Sequence, residues 1–339
     1  MGTSIGSRAP TTGAPTVTLG QRLGRTAVRV LRVREAFLVI ILLAIVVVMS
    51  ILSPGFRTEG NFRAVMLGFA MEGMVVVGMT MLLVGGLFDL SVGSTMALAG
   101  MVTADLLLRG VPVSVAILAG LLSGILVGLV NGWIVSKVKV NALIATLGTM
   151  SIVRGIALTH WQGQPVINLP KSFIAIGQGV VWGMPVPLLI LIALVIVCDV
   201  LMRRARWFRQ AYYLGGSEKA AMLSGINVNQ VRVVLFILTG LLAALGGVVS
   251  TARLGAAYPN SYDSVALRVI SGAVIGGCSL FGGEGSVVGA ILGLLFVSIL
   301  SDILVLFGVS PYLEGVVQGT ALILAVVIDL VARRRVRRA

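Results

Sequence analysis

The residues of this sequence that are best suited to chemistry are ionisable side chains that interrupt long apolar runs. They are Glu72, Asp89, Asp105, Arg154, Asp199, Arg268, Asp302 and Glu314. A charge inside a bilayer is costly unless it is paired or hydrated, so each of these residues is a candidate for a solute pathway. Asp105, Asp199 and Glu314 are close enough to the ends of their runs to be interfacial. Glu72 and Arg268 lie deeper, and we expect them to contribute to a pathway or to pair across the bundle.

The types of polar residue in the sequence are more typical of a solute pathway than of a catalytic site. We expect a pathway lined by Asp89, Ser91, Ser94, Asn141, Thr146, Thr149 and Arg154, because hydroxyls, amides and a few charges suit a polyhydroxyl solute. His160 is the only histidine, no HExxH motif occurs, and the two cysteines, Cys198 and Cys278, lie far apart in apolar runs. We therefore expect no metal site, no cofactor and no catalytic residue.

The composition requires a bilayer to cover the apolar surface of the chain. Hydrophobic residues make up 58% of the 339 residues, charged residues make up 11%, and the mean hydropathy is +1.06. The net charge of +14 comes from basic residues that lie mostly in the tails and between apolar runs. This distribution favours orientation in a lipid membrane and disfavours nucleic acid as a partner.

The apolar runs predict an all-α polytopic membrane protein with about ten transmembrane helices. The runs lie approximately at 36–52, 64–86, 90–108, 112–135, 142–160, 185–202, 231–253, 265–281, 287–307 and 312–332. The first run is too long for a typical signal peptide, so we expect it to be retained. We expect residues 1–34 to form a flexible basic tail, 35–332 the transmembrane domain and 333–339 a second basic tail. The distribution of Lys and Arg places both termini in the cytoplasm.

Glycines recur every four residues in two of the predicted helices. They are Gly120, Gly124, Gly128 and Gly132 in the fourth helix, and Gly285, Gly289 and Gly293 in the ninth. A file of small residues lets helix backbones approach closely in lipid, so these positions predict helix packing.

Two segments of the chain, residues 84–94 and 275–286, resemble each other. Each contains a Gly-Gly pair, a short polar interruption with an acid, and Gly-Ser before the next run. They join spans two to three and eight to nine, which predicts a parallel repeat of two four-helix units. Irregular backbone at membrane depth is tolerated where it lines a wet cavity, although both segments also fit tight turns at the bilayer edge.

The longest predicted cytoplasmic segment between spans, about 203–232, contains a short predicted helix. Ser217 is a candidate N-cap, Glu218 lies in the first turn, and Gly225 is a candidate left-handed stop. A short helix between two spans has little of its own to pack against. We therefore expect it to bind in a groove on another protein.

Several motifs resemble those of the ribose-type sugar permease family of ABC importers. They are the run 215–226, Asp89–Ser94, the run 145–150 followed by Arg154 and Gly155, Gly163–Pro165, and Ile275–Gly277 with Gly282–Ser286. Together they cover most of the chain from about residue 35 to 332. The run around Glu218 resembles the coupling loop of ABC-importer permeases. That resemblance implies ATPase-coupling roles for Glu218, Lys219, Ala220, Ala221 and Gly225.

The resemblance also implies a substrate, a location and partners. It implies a permease of the bacterial inner membrane that admits a ribose-like or xylose-like monosaccharide or a polyol. The implied partners are a second permease copy, two cytoplasmic ATP-binding subunits and a periplasmic sugar-binding protein. The chain has no GxxxxGK[ST] phosphate loop, in keeping with ATP hydrolysis by a partner. The alternatives are an ion-coupled secondary transporter and, among ABC permeases, one for a quorum signal or branched-chain amino acids.

Overall fold

The computed structural model describes the backbone of residues 19–34, residues 35–310 in full, and the helical positions 313, 315, 316, 319, 320, 323 and 327. The named helices in this part of the chain are α1 (Leu19–Leu52), α2 (Glu59–Val84), α3 (Val92–Leu108), α4 (Val113–Trp133), α5 (Ala142–His160), α6 (Lys171–Gln178), α7 (Val186–Arg204), α8 (Arg206–Gly216), α9 (Glu218–Leu223), α10 (Val228–Leu254), α11 (Val265–Ile275) and α12 (Val287–Leu306). A short antiparallel hairpin pairs β1 (Val180–Val181) with β2 (Met184–Pro185).

The structure confirms an all-α polytopic membrane protein. Within the described residues, seven helical segments are long and apolar enough to cross a bilayer: Glu35–Leu52, Glu59–Val84, Val113–Val138, Ala142–His160, Val186–Arg204, Val228–Leu254 and Val287–Leu306. The helices α3 and α11 are apolar but shorter. Each predicted run up to residue 307 overlaps one of these segments, but the run 265–281 extends six residues beyond the end of α11 at Ile275. The run 312–332 lies outside the described residues except for the single positions given above, so the total of ten spans stays a prediction.

Helix α1 extends beyond the apolar run that predicted it. It begins at Leu19, so the helix includes part of the segment 1–34 that we expected to be a flexible tail. No proline occurs between Pro15 and Pro54, and nothing in the sequence forces the helix to begin at residue 35. Residues 1–18 and the predicted tail 333–339 lie outside the described part.

Helix α10 lies at the centre of the bundle and packs against α2, α3 and α4. The α4–α10 contact is close because both helices present glycine: a methyl group on Gly124 would overlap the Gly240 carbonyl oxygen. The whole predicted glycine ridge of α4 is on a packed face: Gly120 faces Thr103 of α3, while Gly124, Gly128 and Gly132 face Gly240, Phe236 and Val233 of α10.

The glycines near α12 fall into two groups. Gly289 and Gly293 pack on the end of α11 and on the residue after it, because methyl groups on them would overlap the carbonyl oxygens of Gly276 and Gly272. Gly285 precedes the helix, because Ser286 is its N-cap and accepts a hydrogen bond from the Gly289 amide at 2.9 Å. With a φ of 149°, Gly285 is a turn residue and not part of the predicted ridge.

Candidate functional site

Two irregular segments separate pairs of helices in the bundle. The first interruption (residues 85–91) joins α2 to α3, and the second interruption (residues 276–286) joins α11 to α12. The backbone φ values of Gly86 and Gly277 are 72° and 103°, a conformation that glycine adopts easily and that cannot continue a helix. The Gly283 amide donates to the Val84 carbonyl oxygen at 2.8 Å, so the second interruption lies against the end of α2.

A buried polar network joins the first interruption to α4. Asp89 is 1% exposed, and its Oδ1 accepts hydrogen bonds from the Ser91 amide at 2.7 Å and the Ser91 hydroxyl at 2.6 Å. Asn131 donates through Nδ2 to Asp89 Oδ2 at 3.2 Å and to Ser91 Oγ at 2.9 Å. Burial raises the pKa of Asp89, and the hydrogen bonds from Ser91 and Asn131 oppose that shift. These bonds hold the irregular backbone against a rigid helix.

Asn131 is not among the pathway residues predicted from the sequence, which include the amide of Asn141 but no residue of the run 112–135. The position of Asn131 beside Gly132, as the only amide side chain of a mostly apolar helix, was an available signal. Asn131 is fully buried, and its Oδ1 has no hydrogen-bond partner among the described residues. Most buried polar atoms in folded proteins have a hydrogen-bond partner, so this amide oxygen is a candidate for a functional contact.

The hydroxyls of the other candidate residues donate hydrogen bonds to backbone carbonyl oxygens of their own helix or of the turn before it. The bonded pairs, at 2.8 to 3.0 Å, are Ser94 with the Ser91 carbonyl, Thr146 with the Ala142 carbonyl and Thr149 with the Ala145 carbonyl. Each hydroxyl therefore offers a solute only its acceptor lone pairs. Asn141 is the N-cap of α5 and accepts a hydrogen bond from the Leu143 amide at 2.9 Å.

Arg154 of α5 binds the loop between α10 and α11, residues 255–264. Its Nη1 donates to the Pro259 carbonyl oxygen at 2.6 Å, and its Nη2 forms an ion pair with Asp263. Because Arg154 is mostly buried and Asp263 is exposed, the pair lies at an open edge of the bundle. Arg154 was predicted as a pathway residue, and this contact defines its surroundings.

The same loop folds back against the helices around it. The Tyr262 hydroxyl donates to Ser250 Oγ of α10 at 2.9 Å, and the Tyr262 carbonyl oxygen packs so closely on Gly93 of α3 that a methyl group there would overlap it. The loop presents exposed polar side chains that sequence reasoning did not single out: Tyr258, Asn260, Asp263 and Ser264. They belong to the loop that Arg154 binds through Pro259 and Asp263, and an aromatic ring with amide, hydroxyl and carboxylate groups suits a polyhydroxyl solute.

Glu72 and Arg268 form an ion pair between α2 and α11. Arg268 Nη1 donates to Glu72 Oε1 at 2.8 Å, and the two side chains are 21% and 14% exposed. Of the two roles expected for them, contributing to a pathway or pairing across the bundle, the structure shows the pair. Pairing lowers the cost of placing both charges among apolar helices.

The segment from α8 to α10 contains the short helix that the sequence predicted. Ser217 Oγ accepts a hydrogen bond from the Ala220 amide at 3.3 Å at the start of α9, and Gly225 has a φ of 79° just after α9. Met222 and Leu223 are 52% and 90% exposed. An apolar pair this exposed on a short helix is typical of a surface that binds another protein.

Glu218 ties α9 to α10. Its Oε2 accepts a hydrogen bond from Arg232 Nη2 at 2.7 Å, and Arg232 is the more buried partner. Beside this pair is a cavity of about 310 Å³, lined by Gly86, Leu87, Phe88, Val135, Lys139, Val140, Asn141, Ala142, Glu218 and Arg232. The first interruption thus lines the same cavity as Glu218 of α9.

Comparisons with known proteins place this architecture in context. The sequence matches the family described as branched-chain amino acid transport system, permease component, over residues 61–326. The ribose import permease protein of Bacillus subtilis is 38% identical, over 85% of this chain and 90% of that protein. From Escherichia coli strain K12, the L-arabinose transport system permease is 36% identical over 83% of this chain and 85% of its own length. The D-allose permease of the same strain is 37% identical over 85% and 89%. No solved structure matches.

Proposed function

The chain belongs to this family of transport permease components, and from that membership we propose that it carries a monosaccharide through the membrane as the permease subunit of an ABC importer. It is a transport subunit and not an enzyme. The energy source is therefore a separate ATP-binding subunit, and the ion-coupled alternative is set aside.

The names of three relatives, which are similar to this chain at nearly the same identity, support a sugar as the substrate. They are named for ribose, L-arabinose and D-allose, which are all monosaccharides. The family description names branched-chain amino acids, which makes these the second candidate class of substrate. The exposed polar loop beside Arg154 favours the sugar, because an aliphatic amino-acid side chain gains little from such a surface.

The proposed assembly contains two permease chains, two cytoplasmic ATP-binding subunits and a periplasmic sugar-binding protein. We place the permease in the bacterial inner membrane with ten spans and both termini in the cytoplasm, because this arrangement keeps most Lys and Arg residues on the cytoplasmic side. The resemblance between the two interruptions supports a parallel four-helix repeat.

The proposed pathway includes Asp89, Ser91, Ser94, Asn141, Thr146, Thr149 and Arg154, with Glu72 and Arg268 as a pair that borders it. We add Asn131 and the loop 255–264. The proposed coupling residues are Glu218, Lys219, Ala220, Ala221 and Gly225. Their support is the capped α9 helix, the exposed Met222–Leu223 pair and the bond between Glu218 and Arg232.

Reconstitution tests the proposal directly. The permease, its ATP-binding subunit and its binding protein are placed in proteoliposomes, and uptake of labelled ribose, xylose, L-arabinose and leucine is measured with ATP inside or outside. We expect uptake of one monosaccharide only when ATP faces the ATP-binding subunit. A complex with a hydrolysis-deficient ATP-binding subunit is the control. Uptake of leucine in preference to every sugar would overturn the substrate class, and uptake driven by an ion gradient without ATP would overturn the mechanism.

A further inference from the structure

The end of α8 lies against both interruptions through backbone contacts. A methyl group on Gly215 would overlap the Val84 carbonyl oxygen and the Gly283 amide nitrogen, and would lie 2.9 Å from Gly282 Cα. Real side-chain carbons do not approach other atoms so closely, so only glycine fits there. The last turn of α8 therefore touches the end of α2 and the second interruption at once.

The first interruption also contacts the last turn of α8 and the second interruption. A methyl group on Gly282 would lie 2.7 Å from Gly215 Cα and 2.8 Å from Gly86 Cα. Gly86 and Gly282 have φ values of 72° and 85°, so both also need glycine for their backbone conformation. We call these four residues, Gly86, Gly215, Gly282 and Gly283, the glycine junction.

A side-chain contact reinforces the junction. The Tyr212 hydroxyl of α8 donates to the Gly285 carbonyl oxygen at 3.0 Å, one turn of helix before Gly215. Burial raises the pKa of Tyr212 to about 12, so the hydroxyl keeps its proton and remains a donor at physiological pH. Helix α8 is thus held to the second interruption at two points.

The junction connects the α9 helix to the buried polar network. One residue, Ser217, separates α8 from α9, so a displacement of α9 moves the end of α8. The end of α8 bears on Gly86, and Asp89 and Ser91 follow three and five residues later in the same interruption. Contacts between backbones have no flexible side chain to absorb a shift, so such a displacement is passed on.

We infer that Gly215 is a positioning residue for transport: through the glycine junction, the end of α8 delivers movements of the α9 helix to both interruptions together. The inference rests on the proposed function, because it needs α9 to be moved by an ATP-binding subunit. It adds a site of transmission inside the permease, distinct from the surface that binds the ATPase.

The chain offers a matched pair of substitutions. Gly215→Ala places a methyl group in the overlap described above, whereas Gly216→Ala, one residue on, meets no atom within 4 Å. Both replace glycine by alanine in the last turn of the same helix. The readouts are the amount of permease in the membrane, the amount of bound ATP-binding subunit, and the number of solute molecules imported per ATP hydrolysed.

For Gly215→Ala we expect normal assembly and basal ATP hydrolysis, with solute imported per ATP lowered about tenfold or more, since an overpacked contact forces backbone shifts. For Gly216→Ala we expect a ratio within about twofold of the unsubstituted protein. An unchanged ratio in Gly215→Ala overturns the inference. Equal loss in both variants also overturns it, because Gly216 has open space.

A second variant tests the inference if Gly215→Ala does not reach the membrane. Tyr212→Phe keeps the ring and removes only the hydrogen bond to Gly285, and we expect the ratio to fall about threefold, in line with one lost hydrogen bond. An unchanged ratio in this variant then overturns the inference. Failure of the unsubstituted complex to import any sugar counts against the proposed function and is read separately.

Discussion

Arg268 of α11 donates to Glu72 of α2 at 2.8 Å, across 196 residues of sequence. The pair joins the helix that precedes the first interruption to the helix that precedes the second. Both side chains are mostly buried, and each charge offsets part of the desolvation cost of the other. A repeat of two similar units would place these two helices in equivalent positions.

Breaking this ion pair should destabilise the protein. Glu72→Gln or Arg268→Gln removes this ion pair and leaves one mostly buried charge with its remaining contacts only, so we expect each to cost about 2–3 kcal/mol of unfolding free energy, below the range for fully buried pairs. Thermal unfolding of the detergent-solubilised permease measures this. The double variant should be more stable than either single one. If neither single substitution changes stability or uptake, the pair has no role.

Gly225 should be sensitive because of its backbone conformation. Its φ is 79°, and no atom lies within 4 Å of a methyl group placed there, so a side chain is opposed by strain and not by a clash. Gly225→Val should cost about 1–2 kcal/mol locally, deform the end of α9 and abolish ATP hydrolysis linked to transport, while membrane insertion persists.

Asparagine is the matched control at this position, because it tolerates the left-handed region better than other residues. Gly225→Asn should keep at least about half of the stimulated ATPase activity, since its strain is smaller. Full activity in Gly225→Val would contradict the argument from φ.

The close packing of α4 on α10 predicts a difference between two glycines. Gly124→Ala should destabilise the protein by about 1–3 kcal/mol, because its methyl group would overlap the Gly240 carbonyl oxygen. Gly148→Ala in α5 meets no atom within 4 Å and should be neutral, or stabilising by up to about 1 kcal/mol from helix propensity. Melting temperatures of the two variants test this, and equal values would argue against a tight α4–α10 contact.

Asn131 should matter for stability and transport. Asn131→Ala removes both bonds to the Asp89–Ser91 pair and should cost about 1–3 kcal/mol, because it leaves the buried Asp89 carboxyl oxygen without a donor. Ser123→Ala is a control on the same helix, since Ser123 bonds only to the Gly120 carbonyl oxygen among the described contacts. Uptake and thermal unfolding are the measurements, and similar effects of both substitutions would contradict a specific role for Asn131.

The topology can be tested with two exposed lysines. Lys171 lies at the start of α6 and Lys219 in α9, and the proposed topology places them on opposite sides of the membrane. A membrane-impermeant amine reagent added to right-side-out vesicles should modify Lys171, and should reach Lys219 only after permeabilisation. Peptide mass spectrometry locates the modified sites. Modification of Lys219 in sealed vesicles would place α9 on the wrong side for an ATP-binding subunit.

The sequence by itself determined the class of protein and most helix positions. Apolar runs of the right length identify spans because the requirement to satisfy every backbone group inside lipid acts on each helix separately. The start and stop of α9 were readable for a similar reason, since the cap at Ser217 and the turn at Gly225 depend on a few neighbouring residues. The pairing of Glu72 with Arg268 was within reach because charges among apolar residues need partners.

Only the tertiary structure decided which distant segments meet. Asn131 reaches Asp89, Arg154 reaches Asp263, and Gly215 touches both interruptions, and each contact depends on how whole helices pack and where the loops between them return. The glycine spacing indicated close packing but not the partner, and it placed Gly285 on a helix that begins at Val287. A repeat of small residues indicates that two helix backbones approach each other closely. The three-dimensional arrangement of the helices decides which two helices these are.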